Sequence, residues 1–192
     1  MEFDKDLRSI QEVRNLVAKA KAAQEEYANF TQEQVDRIVQ AIAQACASQA
    51  ERLAKLAVEE TGFGVWQDKV LKNLLGSTMT YEHIKDMKTV GILREDRERQ
   101  LWEVAVPMGV VAALIPSTNP TSTVMYKTLI ALKAGNAIVL SPHPNAKNCI
   151  LETYKVINQA ALAAGAPAGL VECLTAVSYT HLRAHETRHD LV

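Results

Sequence analysis

Long apolar runs are missing from this sequence: no stretch approaches the roughly 20 apolar residues that a bilayer-spanning helix needs, and the N-terminal segment from Met1 to Ile10 is charged. A cytoplasmic location is the expectation. Charge of one sign is missing as well. The 21 basic and 22 acidic residues are interspersed, with no basic run and only 5% aromatics, a balance that argues against a nucleic-acid or anionic-membrane partner. Cysteine is scarce. Cys46, Cys149 and Cys173 are odd in number, far apart and set in apolar neighbourhoods, which suits reduced core thiols rather than disulfides or metal ligands. What is present, 192 residues with 48% apolar content, is enough to bury a core.

The first third reads as helical. Leu7, Ile10, Val13, Leu16, Val17 and Ala20 recur every three or four residues and predict an amphipathic helix. Thr31 to Gln34 fits a capping box, in which the Thr31 hydroxyl accepts from the third amide and the Gln34 side chain reaches back. Behind it Val35, Ile38, Val39, Ile42, Cys46, Leu53 and Leu56 trace one stripe over a long helix, which Gly62 stops by taking a left-handed conformation. A third pattern runs from Trp66 through Val70, Leu71, Leu74, Leu75 and Met79 towards Met87, with Gly76 a weak point inside it. After Gly91 the character changes. Two short strand-like stretches within about 90–106 flank the charged turn Arg94 to Arg99 and predict a two-stranded arm.

The stretch from Val110 to Pro144 organises the rest. An apolar run to Ile115 breaks at Pro116-Ser117-Thr118-Asn119-Pro120, a helical segment follows, and a second apolar run from Ala137 to Leu140 ends in Ser141-Pro142-His143-Pro144. Apolar runs joined by about a dozen helix-patterned residues are the sequence form of a βαβ unit in a parallel sheet, whose ligands bind beyond the carboxyl ends of the strands. Asn145 predicts the cap of a further helix, Gly165-Ala166-Pro167 its end, and Leu170 to Leu174 a third strand. The fold class is therefore α/β: N-terminal helices, an arm, and the first half of a Rossmann-like parallel sheet.

Both polar loops can carry chemistry. Asn119, held between two prolines just past a buried strand, has an amide able to donate two hydrogen bonds, as an oxyanion donor must; Asn and Pro are also ordinary turn residues. The Thr121 or Ser122 hydroxyl is expected to cap the following helix. His143 reads either as a solvated loop residue or as a base, although nothing nearby in the sequence supplies a nucleophile for it to activate.

The segments IPSTNPTSTVMYKTLIALKAGNAIVLSPHPNAK and QAALAAGAPAGLVECL, together with FTQEQVDRIVQAI and AVEETGFGVWQDKVLKN, resemble the coenzyme-A-acylating branch of the aldehyde dehydrogenase superfamily over about residues 7–174. Within it they are most similar to acetylating acetaldehyde dehydrogenases, free-standing or as the N-terminal half of bifunctional aldehyde-alcohol dehydrogenases. The resemblance implies an aldehyde dehydrogenase-like fold and conversion of an aldehyde, NAD and coenzyme A to acyl-CoA and NADH through a cysteine thioester. It implies that Asn119 is the side-chain oxyanion donor. Pro116, Ser117 and Thr118 would pass the nicotinamide half of the cofactor; Ser141, Pro142 and His143 the adenosine ribose; and Gly165, Ala166 and Pro167 the adenine pocket. It implies a homo-oligomer joined through the arm. None of the three cysteines sits in a motif matching the family's nucleophile, so the chain is expected to be an N-terminal portion without activity of its own.

Residues 1–177 are thus read as the N-terminal part of an NAD-binding domain, and 178–192 as a tail of different character. That tail holds three of the five histidines, and its His185-Glu186-Thr187-Arg188-His189 matches H-E-x-x-H. The pattern suits a zinc hydrolase where a scaffold surrounds it, but the stretch is polar and resembles a translated sequencing adapter, so it is expected to be non-native and no metal is assigned. A non-catalytic interaction module is the remaining alternative.

Overall fold

The computed structural model describes residues 5–175. Helix α1 (Lys5–Tyr27) precedes α2 (Gln32–Ser48), α3 (Ala50–Thr61) and α4 (Trp66–Leu74), a π-helical turn (Leu75–Met79), and α5 (Thr80–Ile84). The two-stranded arm β1 (Gly91–Asp96) and β2 (Leu101–Ala105) follows, then β3 (Val110–Ile115), α6 (Pro120–Lys133), β4 (Ala137–Pro142), a 3-10 turn (Pro144–Ala146), α7 (Lys147–Ala163) and β5 (Val171–Cys173). Strands β3, β4 and β5 form a parallel sheet in that order. Two successive crossovers in one direction put α6 and α7 on the same face, because such connections are right-handed. Helix α1 touches all three strands from the other side. Double cover explains why all six residues of β4 are buried.

Local sequence accounts for many of the boundaries. The Thr31 hydroxyl accepts from the Gln34 amide while the Gln34 side chain accepts from the Thr31 N–H at 2.8 Å, closing the expected capping box. Gly62 ends α3 at φ 70°, a conformation that disfavours a Cβ. The arm pairs antiparallel, from Gly91 opposite Ala105 to Asp96 opposite Leu101. Its first strand runs on through Arg94, so the turn is tighter than the charge run suggests.

Five expectations are corrected. The single long helix from Thr31 to Gly62 is two helices broken at Gln49, whose backbone leaves the helical region at φ −104°. Both α2 and α3 pack on α7, so the stripe from Val35 to Leu53 stays continuous across the bend. Apolar spacing reports which side faces the core, not whether the axis is straight.

The third helix turns the other way from its apolar pattern. Leu71, Leu75 and Met79 are 66%, 58% and 61% exposed, and the buried face is instead Lys69, Asn73, Gly76 and Ser77. Close approach is the reason: a Cβ at Gly76 would lie 2.7 Å from the backbone oxygen of Ser122, so only glycine lets the π turn meet α6 there.

The caps of α6 and α7 also differ from expectation. Asn119, not Thr121 or Ser122, is the N-cap of α6; its C=O accepts from the Thr123 amide, and the Thr121 hydroxyl donates to Asn73 Oδ1 at 2.7 Å. Asn145 does not cap α7. The Glu60 carboxylate, arriving from α3, accepts from the Asn148 and Cys149 amides at 2.8 and 2.7 Å. Finally, Ser141 and Pro142 are not loop residues but the last two of β4, paired with Leu114 and Ile115.

Among the described residues no helix is long and apolar enough to cross a membrane.

Candidate active site

In a parallel sheet all strands end at one edge. Here Ile115 and Pro142 are register partners, and the His143 amide donates to the Ile115 carbonyl at 3.1 Å, so the loop after β3 and the turn after β4 lie side by side. Ser117 and Asn119 are half-buried there, while Pro116 and Thr118 are exposed. Ser141 is only 1% exposed and Pro142 is buried, which leaves His143 as the accessible member of that trio. His143 Nδ1 accepts from the Asn145 amide at 3.1 Å, which holds the ring against the turn.

Gly165, Ala166 and Pro167 are not brought to this edge. They join the end of α7 to β5, and the nearby Leu170 carbonyl accepts from Ile138 at the start of β4, so they sit at the amino edge of the sheet.

Three polar side chains of α4, which the apolar reading of that helix overlooks, hold the loop after β3. The Lys69 ammonium donates to the Thr118 carbonyl at 2.8 Å, Lys72 to Asn119 Oδ1 at 3.1 Å, and Asn73 accepts from the Thr121 hydroxyl. Their spacing of three and four residues puts them on one helical face. Asn73 is itself tied to the Ala50 carbonyl at 2.9 Å, which fixes the rotation of α4. Burial, and then the neighbouring Lys72 charge, lower the Lys69 pKa. The polar i, i+3, i+4 set opposite an exposed leucine stripe was the available sequence signal for this clamp.

Between the clamp and the α3–α4 connection is a cavity of about 190 Å³, lined by Phe63, Val65, Lys69, Lys72, Thr118 and Asn119 among others. It joins apolar wall to amide and ammonium groups and the Asp68 carboxylate, a mixed lining of the kind small organic ligands occupy. A larger cleft of about 390 Å³ runs along β3 beside Val111, Ile130 and Ile138, but the ammonium of its Lys127 is already given to the Leu114 carbonyl at 2.8 Å.

The cysteines are elsewhere. Cys46, Cys149 and Cys173 are all buried. Burial pushes the Cys46 thiol up to about 12 and, with the Glu12 and Glu172 charges, Cys173 up to about 12; burial with Glu60 raises Cys149 as well. A nucleophilic cysteine needs the opposite shift. In the folded protein all three are expected to resist a thiol-selective disulfide reagent near neutral pH, and to react fully after denaturation. Rapid labelling of any one in the native state would contradict their burial.

No cluster of three or more metal-ligating side chains occurs among the described residues, and the His185–His189 motif lies outside them.

The profile of the Aldehyde dehydrogenase family matches residues 7–189. Over 163 residues the chain is 47% identical to the bifunctional aldehyde-alcohol dehydrogenase of Escherichia coli (strain K12), covering 85% of this chain and 18% of that protein. A probable aldehyde dehydrogenase from Listeria monocytogenes EGD-e superposes with a TM-score of 0.92 at 60% identity, covering 94% of this chain and 40% of that one. An acetylating aldehyde dehydrogenase from Geobacillus thermoglucosidasius does so at 0.90 and 53%, with the same coverage. The chain thus spans less than half the length of each relative, and the sequence and the parallel sheet together make it a member of the aldehyde dehydrogenase family.

Proposed function

We propose that this chain forms the first half of the cofactor-binding domain of an NAD-dependent enzyme that converts an aldehyde, acetaldehyde in the first instance, and coenzyme A to acyl-CoA. The observation that carries the reading is the half-buried amide of Asn119, held at the carboxyl edge of the sheet and lining the small cavity. When a thiolate adds to an aldehyde carbonyl, the oxygen gains negative charge. A neutral amide N–H pre-aimed at that oxygen stabilises the charge without holding a counterion beforehand. Thr118, beside it, is fixed by Lys69, so the loop need not reorganise as charge develops.

The donor set at this edge suits a dinucleotide. Pro116, Ser117 and Thr118 would face the nicotinamide half, and His143 the adenosine ribose, while Ser141 and Pro142 shape the strand end beneath. NAD, when bound, supplies the hydride acceptor. The nucleophilic thiolate would come from sequence outside these 192 residues, since all three cysteines here are buried with raised pKa values. The arm, with Ile92, Leu101, Trp102 and Val104 exposed, would join copies into a homo-oligomer.

The test is an NADH assay with acetaldehyde, NAD and coenzyme A. Residues 1–192 alone are expected to give no turnover, and the product of the complete reading frame to give coenzyme-A-dependent NADH. Turnover by the short chain, or none from a folded complete product, would overturn the proposal.

A further inference from the structure

Lys72 does something to Asn119 that follows from donor chemistry alone. An ammonium has three donors and no acceptor, so the group facing Lys72 Nζ at 3.1 Å must be the amide oxygen; with the nitrogen there, two donors would confront each other. Asn119 is thereby fixed in one of its two flip states, with its oxygen and not its NH₂ group facing the ammonium. An ammonium on the oxygen also polarises the amide and strengthens its N–H as a donor. Lys72 itself is exposed, so its side chain is not needed to fill the core. The backbone of the same loop is held separately by Lys69, one helical turn earlier.

We infer that Lys72 is a positioning residue that orients and polarises the Asn119 amide, so that its N–H rather than its carbonyl meets the reacting oxygen. The inference rests on the reading of Asn119 as the oxyanion donor. It predicts an order that size or stability would not give. Arginine, also a donor only, keeps the amide oriented; methionine leaves it free to flip; glutamate, an acceptor, draws the NH₂ towards itself and turns the carbonyl to the substrate.

The experiment measures kcat and KM for acetaldehyde on the product of the complete reading frame carrying K72R, K72M, K72E, N119A and the doubles K72M/N119A and K72E/N119A. K72R is expected within about threefold of the parent in kcat, K72M down roughly 10-fold, and K72E down nearly as far as N119A, since losing alignment at a reacting centre costs up to about 100-fold. The effect should fall on kcat, with KM moving little. In the N119A background the Lys72 substitutions should have no further effect, because the group they act through is gone. Two results overturn this inference while leaving Asn119 in its role: K72M and K72E lowering kcat equally in both backgrounds, or K72E no worse than K72M. An N119A enzyme of undiminished kcat would instead remove the reading of Asn119, and this inference with it.

Discussion

Asn119→Ala is expected to lower kcat for acyl-CoA formation by roughly 100- to 1,000-fold, the usual cost of deleting one preorganised oxyanion donor. The substitution removes only a side chain. The N-cap role in α6 belongs to the Asn119 backbone carbonyl, and the side chain makes no capping bond, so the helix should survive. KM should change by far less than kcat, because the interaction strengthens only as the carbonyl oxygen becomes an anion. Asn119→Asp is the sharper companion. Its carboxylate would still pair with Lys72 but would set a negative charge, not a donor, against the developing oxyanion, so it should be at least as slow. A kcat loss below about fivefold for Asn119→Ala would mean that this oxygen is stabilised elsewhere.

The second large effect concerns stability. Lys133, at the end of α6, has its side chain only 3% exposed and pairs with Asp36 of α2, whose side chain is 35% exposed. The same ammonium donates to the Lys85 carbonyl at 2.9 Å, and the Thr89 hydroxyl donates to the Lys133 carbonyl. Gln32 completes the group by donating to Asp36 at 2.8 Å and accepting from the Thr89 and Val90 amides. Asp36→Ala would leave a buried ammonium with one carbonyl for a partner. The expected loss is about 3 kcal/mol in urea unfolding, at the low end for a broken buried pair because water reaches Asp36. Lys133→Met should cost less, since Asp36 can turn to solvent and the thioether fills the space. Equal losses, or an Asp36→Ala loss under about 1 kcal/mol, would show that Lys133 finds other solvation. The network ends at Val90, one residue before the arm, so the same substitution should speed amide exchange at the arm's root.

Features written in neighbouring residues were legible. The capping box at Thr31, the left-handed stop at Gly62, the arm, and the strand–helix–strand from Val110 each depend on local chemistry or on a period of two or 3.6 residues. The loop carrying Asn119 could be found for the same reason. What escaped depends on partners distant in sequence. Glu60 reaches α7 across 88 residues and Lys72 reaches Asn119 across 47, and neither pairing leaves a spacing signal. The face of α4 was misread because its packing is governed by the absence of a side chain at Gly76 and by polar contacts to the 118–121 loop. Hydrophobic periodicity weighs neither.

Glu60 also sets the charge along the sheet's carboxyl edge. The first turn of a helix carries the positive end of the backbone dipole and attracts anions through its unpaired amides. At α7 that attraction is already answered by the protein's own carboxylate, which takes the Asn148 and Cys149 N–H groups. At α6, among the described residues, the cap residue Asn119 makes no side-chain bond to those amides. The two crossover helices therefore present unequal fields to whatever approaches: the end beside Asn119 stays electropositive, with Lys72 adding to it, while the end beyond His143 is neutralised from within.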